Sequence, residues 1–107
     1  MKQSKKEKLE KAGWRVGSAQ DFLGMTDEET AITKLKITLA RSVRERRNRM
    51  GITQAELANR IGSSQSRVAK IEAADSAVSV ELAIRALFAM GSTHKGLARI
   101  IGQSQAA

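Results

Sequence analysis

The stretch TQAELANRIGSSQSRVAKIE, Thr53 to Glu72, holds two helix-length segments with only Gly62, Ser63 and Ser64 between them. Thr53 and Glu56 stand at the spacing where a threonine hydroxyl and a glutamate carboxylate cap each other's backbone amides, so a helix begins there. Leu57, Ala58 and Ile61 form its apolar side, and Gly62 stops it, because glycine takes the left-handed conformation without steric cost. Ser64 caps a second helix at once, with Val68 and Ile71 as its apolar stripe. Two helices joined by so short a turn cross at a steep angle, and one of them is then held out from the body.

The flanking sequence supplies the rest of a helical domain. Thr26-Asp27-Glu28-Glu29 is a capping box with acids in the first turn, where exposed amides favour negative charge. The long helix it opens carries Ile32, Leu35, Leu39, Val43 and Met50 as an apolar stripe, interrupted by Arg47, and ends near Met50 and Gly51. After Thr53–Glu72, Ser79 caps a helix through Val80, Leu82, Ile84, Leu87 and Phe88 that Gly91 ends, and a fifth is expected from Thr93 to Ile101. Only 3% of residues are aromatic, proline is absent and 41% are hydrophobic, so an aliphatic, all-α core of one domain is expected from 107 residues. The expected organisation is an N-terminal arm over 1–25, its first dozen residues a Lys/Glu run that is either disordered or a frayed helix, a five-helix domain over 26–101, and a polar, mobile tail over 102–107.

Several functions are disfavoured at once. The chain has no cysteine, hence no disulfide framework and no thiolate metal site, which fits a reducing cytoplasm. Arg85 breaks the richest apolar run, Val80–Met90, far short of the roughly 18 residues of a membrane span. The basic start, Lys2 to Lys11, is followed by Trp14-Arg15-Val16-Gly17-Ser18 and not by an apolar segment, so no export is expected. His94 stands without spaced acids, and no nucleophile–base arrangement or glycine-rich phosphate loop is present, so we expect neither an enzyme nor a metal or cofactor site. A net charge of +8 and a pI near 10.5 call for an anionic partner, nucleic acid or an acidic membrane, without choosing between them.

The choice comes from the helix after Gly62. With Val68 and Ile71 facing in, Gln65, Ser66, Ala69 and Lys70 face out, with Arg67 at the margin. A helix fits the major groove of B-DNA, where glutamine pairs with adenine, arginine or lysine with guanine, and serine with several edges. Arg44, Arg46, Arg49 and Arg60, near helix ends flanking that surface, are candidates for phosphate contacts, which place a protein without selecting sequence. A solvated surface remains the alternative for each of them.

TQAELANRIGSSQSRVAKIE, within Leu39 to Met90, resembles the helix-turn-helix of the Xre/Cro family, which includes phage repressors. The resemblance implies a DNA-binding regulator, in most cases a repressor working as a homodimer. It places Gln65, Ser66 and Lys70 at base-contacting positions, Arg67 at a base or phosphate position, and Thr53 and Ser64 at the caps that support them. It gives Gln54 two tasks, a phosphate contact and support of Gln65. It also matches Arg47 and Glu72 to an arginine and glutamate that pair in many relatives; the alternative is that Arg47 snorkels to solvent. Leu97, Ile100 and Ile101 are either a dimer surface or core packing of the fifth helix.

The arm GWRVGSAQDFLGMTDEE resembles that of HigA-like antitoxins, which repress their own operon and cover a small basic ribonuclease toxin. On that resemblance Trp14, Val16, Phe22 and Leu23 are candidate anchors for a toxin; alternatively the aromatic pair packs the arm onto the first helix.

Overall fold

Each helix starts one residue after a hydroxyl. The computed structural model describes residues 24–106, and within them five helices and no strand: α1 Asp27–Met50, α2 Gln54–Arg60, α3 Gln65–Glu72, α4 Val80–Ala89 and α5 His94–Ala106. Thr26, Thr53, Ser64, Ser79 and Thr93 each accept a backbone N–H three residues on, at 3.0 to 3.2 Å. At Thr26 and Thr53 the box is complete, because Glu29 and Glu56 accept the threonine N–H at 2.8 and 2.9 Å. These bonds satisfy donors that a helix start leaves without a partner, typically about 1 kcal/mol per cap.

The chain forms two units, residues 1–34 and 35–107. In the first, the described part is the start of α1, where Thr33 donates its hydroxyl back to the Glu29 carbonyl at 2.8 Å. In the second, Leu39 and Val43 of α1, Leu57 and Ala58 of α2, Val68 and Ile71 of α3, and Ala83, Ala86 and Leu87 of α4 form one core with Ile61, Val78 and Met90. Leu39, Val43, Leu57, Val68 and Leu87 are fully excluded from water. Each such side chain contributes about 1.5–3 kcal/mol of transfer free energy. Leu35, Leu97 and Ile100 pack against this core from its edge.

The stripe of α1 is shorter than its spacing predicts. Ile32 and Met50, expected to face inward, are 53% and 41% exposed. Ala40, outside the expected stripe, is buried, and Arg46 donates from Nε to the Met90 carbonyl at 2.9 Å. A guanidinium there neutralises the carbonyl end of α4. Phe88 of α4, also expected in the apolar run, is exposed, its ring 5.3 Å from that of His94. The last helix runs past Ile101, where the polar tail had been expected to begin, to Ala106. Gly102 lies inside it at negative φ, and Ser104 donates to the Ile101 carbonyl at 2.7 Å. Gln, Ser and Ala continue a helix readily, and with no proline to stop it a single glycine does not end one.

Candidate nucleic-acid interface

The turn between α2 and α3 is closed by backbone alone. Ser63 N–H donates to the Ala58 carbonyl at 2.9 Å and Gly62 N–H to that of Asn59 at 3.3 Å. This pairing requires left-handed backbone, and Gly62 has φ of +64°. A Cβ at Gly62 would meet nothing within 4 Å, so the dihedral and not space selects glycine here. Ser64 is then extended, at φ −103° and ψ 157°, and caps α3.

Val68 and Ile71 anchor α3 in the core, Glu72 is turned inward at its end, and Gln65, Ser66, Arg67, Ala69 and Lys70 are all exposed. Ser64 and Ser66 share a hydroxyl hydrogen bond at 3.2 Å. Since Ser64 Oγ already accepts the Arg67 N–H, the two hydroxyls form a fixed pair at the start of the helix. Beside them runs an open groove of about 260 Å³ between α3 and the start of α4, bordered by Ser64, Ser66, Arg67 and Lys70 on one side and Ser79 and Leu82 on the other. Arg44, Arg49 and Arg60 are exposed as well. Arg46 differs: its guanidinium binds the end of α4.

Behind this face lies a partly buried polar network. Arg47 donates to both oxygens of Glu72, from Nε to Oε2 at 2.6 Å and from Nη2 to Oε1 at 3.0 Å, and from Nη1 to the Ile52 carbonyl at 3.0 Å. The side chains are 14% and 6% exposed, so Arg47 does not snorkel outward. The Glu72 hydrogen bond, ahead of the opposing effect of burial, pushes the Arg47 pKa up, which keeps the guanidinium charged. Gln54 adds a further bond, from Nε2 to Glu72 Oε1 at 3.2 Å. Its amide is therefore directed at Glu72, where the sequence resemblance had pointed it at Gln65.

Of the residues expected at the site, Thr53 and Ser64 cap α2 and α3, Gln65, Ser66, Arg67 and Lys70 lie on the exposed face of α3, and Gln54 joins the Arg47–Glu72 pair that was expected to be structural and apart from the reading surface. Sequence reasoning missed the anchoring of Arg46 and the role of Ser79 in bordering the groove. Arg46 was legible, since it stands seven residues after Leu39 on the buried side of α1. Ile101 is exposed, but Leu97 and Ile100 pack partly on the core, so the three do not form a single open patch. Trp14, Val16, Phe22 and Leu23 lie outside the described residues. No group of three or more His, Cys, Asp or Glu among the described residues is arranged to hold a metal ion. No helix among them is long and apolar enough to cross a membrane.

A capped helix pair closed by a left-handed glycine, with the outer face of its second helix polar, basic and free, defines the helix-turn-helix class of DNA-binding proteins. The family model for this helix-turn-helix, HTH_3, matches residues 43–97, and the chain belongs to that Xre/Cro-type family. It is a DNA-binding protein of transcription regulation. Comparison with curated proteins and with solved structures gives no match.

Proposed function

We propose that this protein is a sequence-specific repressor that occupies a promoter as a homodimer in the cytoplasm, acting by binding and not by catalysis. In this reading α3 enters the major groove, Gln65, Ser66, Arg67 and Lys70 meet base edges, and Arg44, Arg49 and Arg60 meet phosphates. The observation that carries it is the division of α3 into a core-anchored side, Val68 and Ile71, and a polar side with every member exposed. A single helix spans only a few base pairs, so two copies on half-sites about 34–36 Å apart supply the remaining selectivity. The exposed Phe88 and Ile101 are the surface we assign to that pairing.

The test uses duplexes selected by the wild-type protein from a randomised pool. Gln65→Ala should lose about 1–3 kcal/mol on the selected site and relax its preference at one base pair. Arg44→Ala should weaken selected and scrambled duplexes alike. Equal losses on both duplexes for both variants would overturn the assignment. The antitoxin alternative rests on residues 13–29, most of them outside the described part, and no observation on the described residues favours it.

A further inference from the structure

The apolar stripe of α1 outruns the core. Leu39 and Val43 are buried and Leu35 is partly buried at the core's edge, but one turn nearer the N-terminus Ile32 is 53% exposed, with Ala31 exposed beside it. Among residues 27–34 no side chain is buried. Helices in proteins are held mainly by a packed face and not by propensity, and Thr30, Ile32 and Thr33 are β-branched residues of modest propensity. This end of α1 therefore calls for a cover.

The chain itself leads there. Gly24, at φ +66°, turns the backbone just ahead of the Thr26 cap, and Met25 lays its Sδ 4.0 Å from Thr33 Oγ1, so the residue before the cap is already folded back along the side of the helix. Ile32 lies about 9 Å along the axis from Thr26 at the rise of an α-helix. An extended chain covers that distance in about three residues. Going back from Gly24, Leu23 and Phe22 come first and Val16 and Trp14 follow, all of them outside the described residues.

Charge selects the occupant. Residues 1–23 carry six Lys and Arg against three acids, whereas residues 24–34 carry one Lys against three acids, all three in the first turn of α1. A second copy of α1 on this face would bring Asp27, Glu28 and Glu29 against their own equivalents, with Glu28 one turn from Ile32, and like charges so placed repel. The chain's own N-terminal segment has the opposite balance and is tethered beside the face, at an effective concentration of the order of millimolar.

We propose that the Ile32 face of α1 is the docking site for residues 14–23 of the same chain, with Phe22 and Trp14 as anchors. These residues then strap the start of α1 and are not open to a partner. The proposal does not depend on the assignment of α3 as the reader.

Trp14 is the only tryptophan in the chain, so its fluorescence reports on the segment directly. In the full-length protein its emission should lie to the blue of that in denaturant, with acrylamide quenching several-fold weaker. Ile32→Asn removes the apolar side chain without changing charge, and it should shift the emission to the red and raise the quenching several-fold, while circular dichroism shows the core still folded. Ile32→Val should keep the wild-type signal. Ile32→Ala should move it in the same direction as Ile32→Asn, and decides the matter should Ile32→Asn not fold. Emission of the wild type already equal to that in denaturant would overturn the proposal, as would a signal that none of the three variants alters. A blue shift that disappears on dilution would also overturn it, and would give the face to a second copy.

Discussion

Ala74 carries the clearest residue-level strain in the domain. It has φ of +54°, the one non-glycine at positive φ among the described residues. It closes α3 as Gly62 closes α2: Asp75 N–H donates to the Lys70 carbonyl at 3.0 Å and Ala74 N–H to that of Ile71 at 3.1 Å. The same motif therefore occurs with glycine at one end of the reading pair and alanine at the other. An alanine in left-handed backbone costs roughly 1–2 kcal/mol. Replacing it with glycine gives back about 0.4–1 kcal/mol through the entropy of the unfolded chain. The difference predicts that Ala74→Gly raises stability by about 0.5–1 kcal/mol, seen as a Tm increase of a few degrees in thermal melting. An unchanged or lower Tm would mean that the methyl group contributes packing beside Val78 and Ala83 that outweighs the strain; all three border one small cavity.

Two of the five helices start on complete capping boxes, and both respond to acid. Glu29 and Glu56 have pKa values held below the ordinary 4.5, first by the backbone N–H of Thr26 and Thr53 and then by the threonine hydroxyls. A carboxylate depressed in the folded state adds stability that is fully present above its ordinary value and is lost as pH falls through the folded one. The wild-type melting temperature should therefore decline as pH is lowered below 4.5. In Glu56→Gln that decline should be shallower, and circular-dichroism melts over this range measure the difference. A variant whose profile simply parallels wild type would remove the caps from the account. The caps were also the most legible part of the fold, because a hydroxyl three residues before an acid is a local pattern and its hydrogen bonds are local too. Gly62, Val68 and Ile71 were legible for the same reason, as was the outward face of α3 that follows from them. Periodicity failed at the ends of α1, since Ile32 and Met50 keep the spacing of the stripe but have no core beside them. It failed again at Gly102, which by itself does not stop α5. Periodicity put Arg47 on the buried stripe of α1, where a guanidinium needs a carboxylate, and the family resemblance agreed in matching it to Glu72, 25 positions away. The Gln54 contact was missed because that resemblance directed the side chain elsewhere.

For the whole molecule the governing quantity is charge and where it lies. Twelve of the nineteen Lys and Arg residues, but only five of the eleven acids, fall in residues 35–107, so most of the net +8 belongs to the unit that holds the reader. Not all of these cations are free to meet phosphate. Arg47 is balanced by Glu72, and Arg85 pairs with Glu81 at 3.5 Å on an exposed face of α4. Arg60, exposed at the end of α2 beside the turn, makes no such ion pair within 4.0 Å among the described residues, although its charge helps to lower the pKa of Glu56 four residues before it. Each phosphate neutralised by a protein cation releases condensed counterions, so the logarithm of affinity falls with the logarithm of salt at a slope of about −0.9 per contact. Arg60→Gln should make that slope shallower by about one and weaken selected and scrambled duplexes alike, whereas Arg85→Gln should leave it unchanged. Titrations at several salt concentrations measure both. If the two variants flatten the slope equally, the attraction comes from charge spread over the whole molecule and not from a phosphate contact beside the reading pair. An altered slope for Arg60→Gln alone locates one strand of the duplex at the turn that Gly62 makes possible.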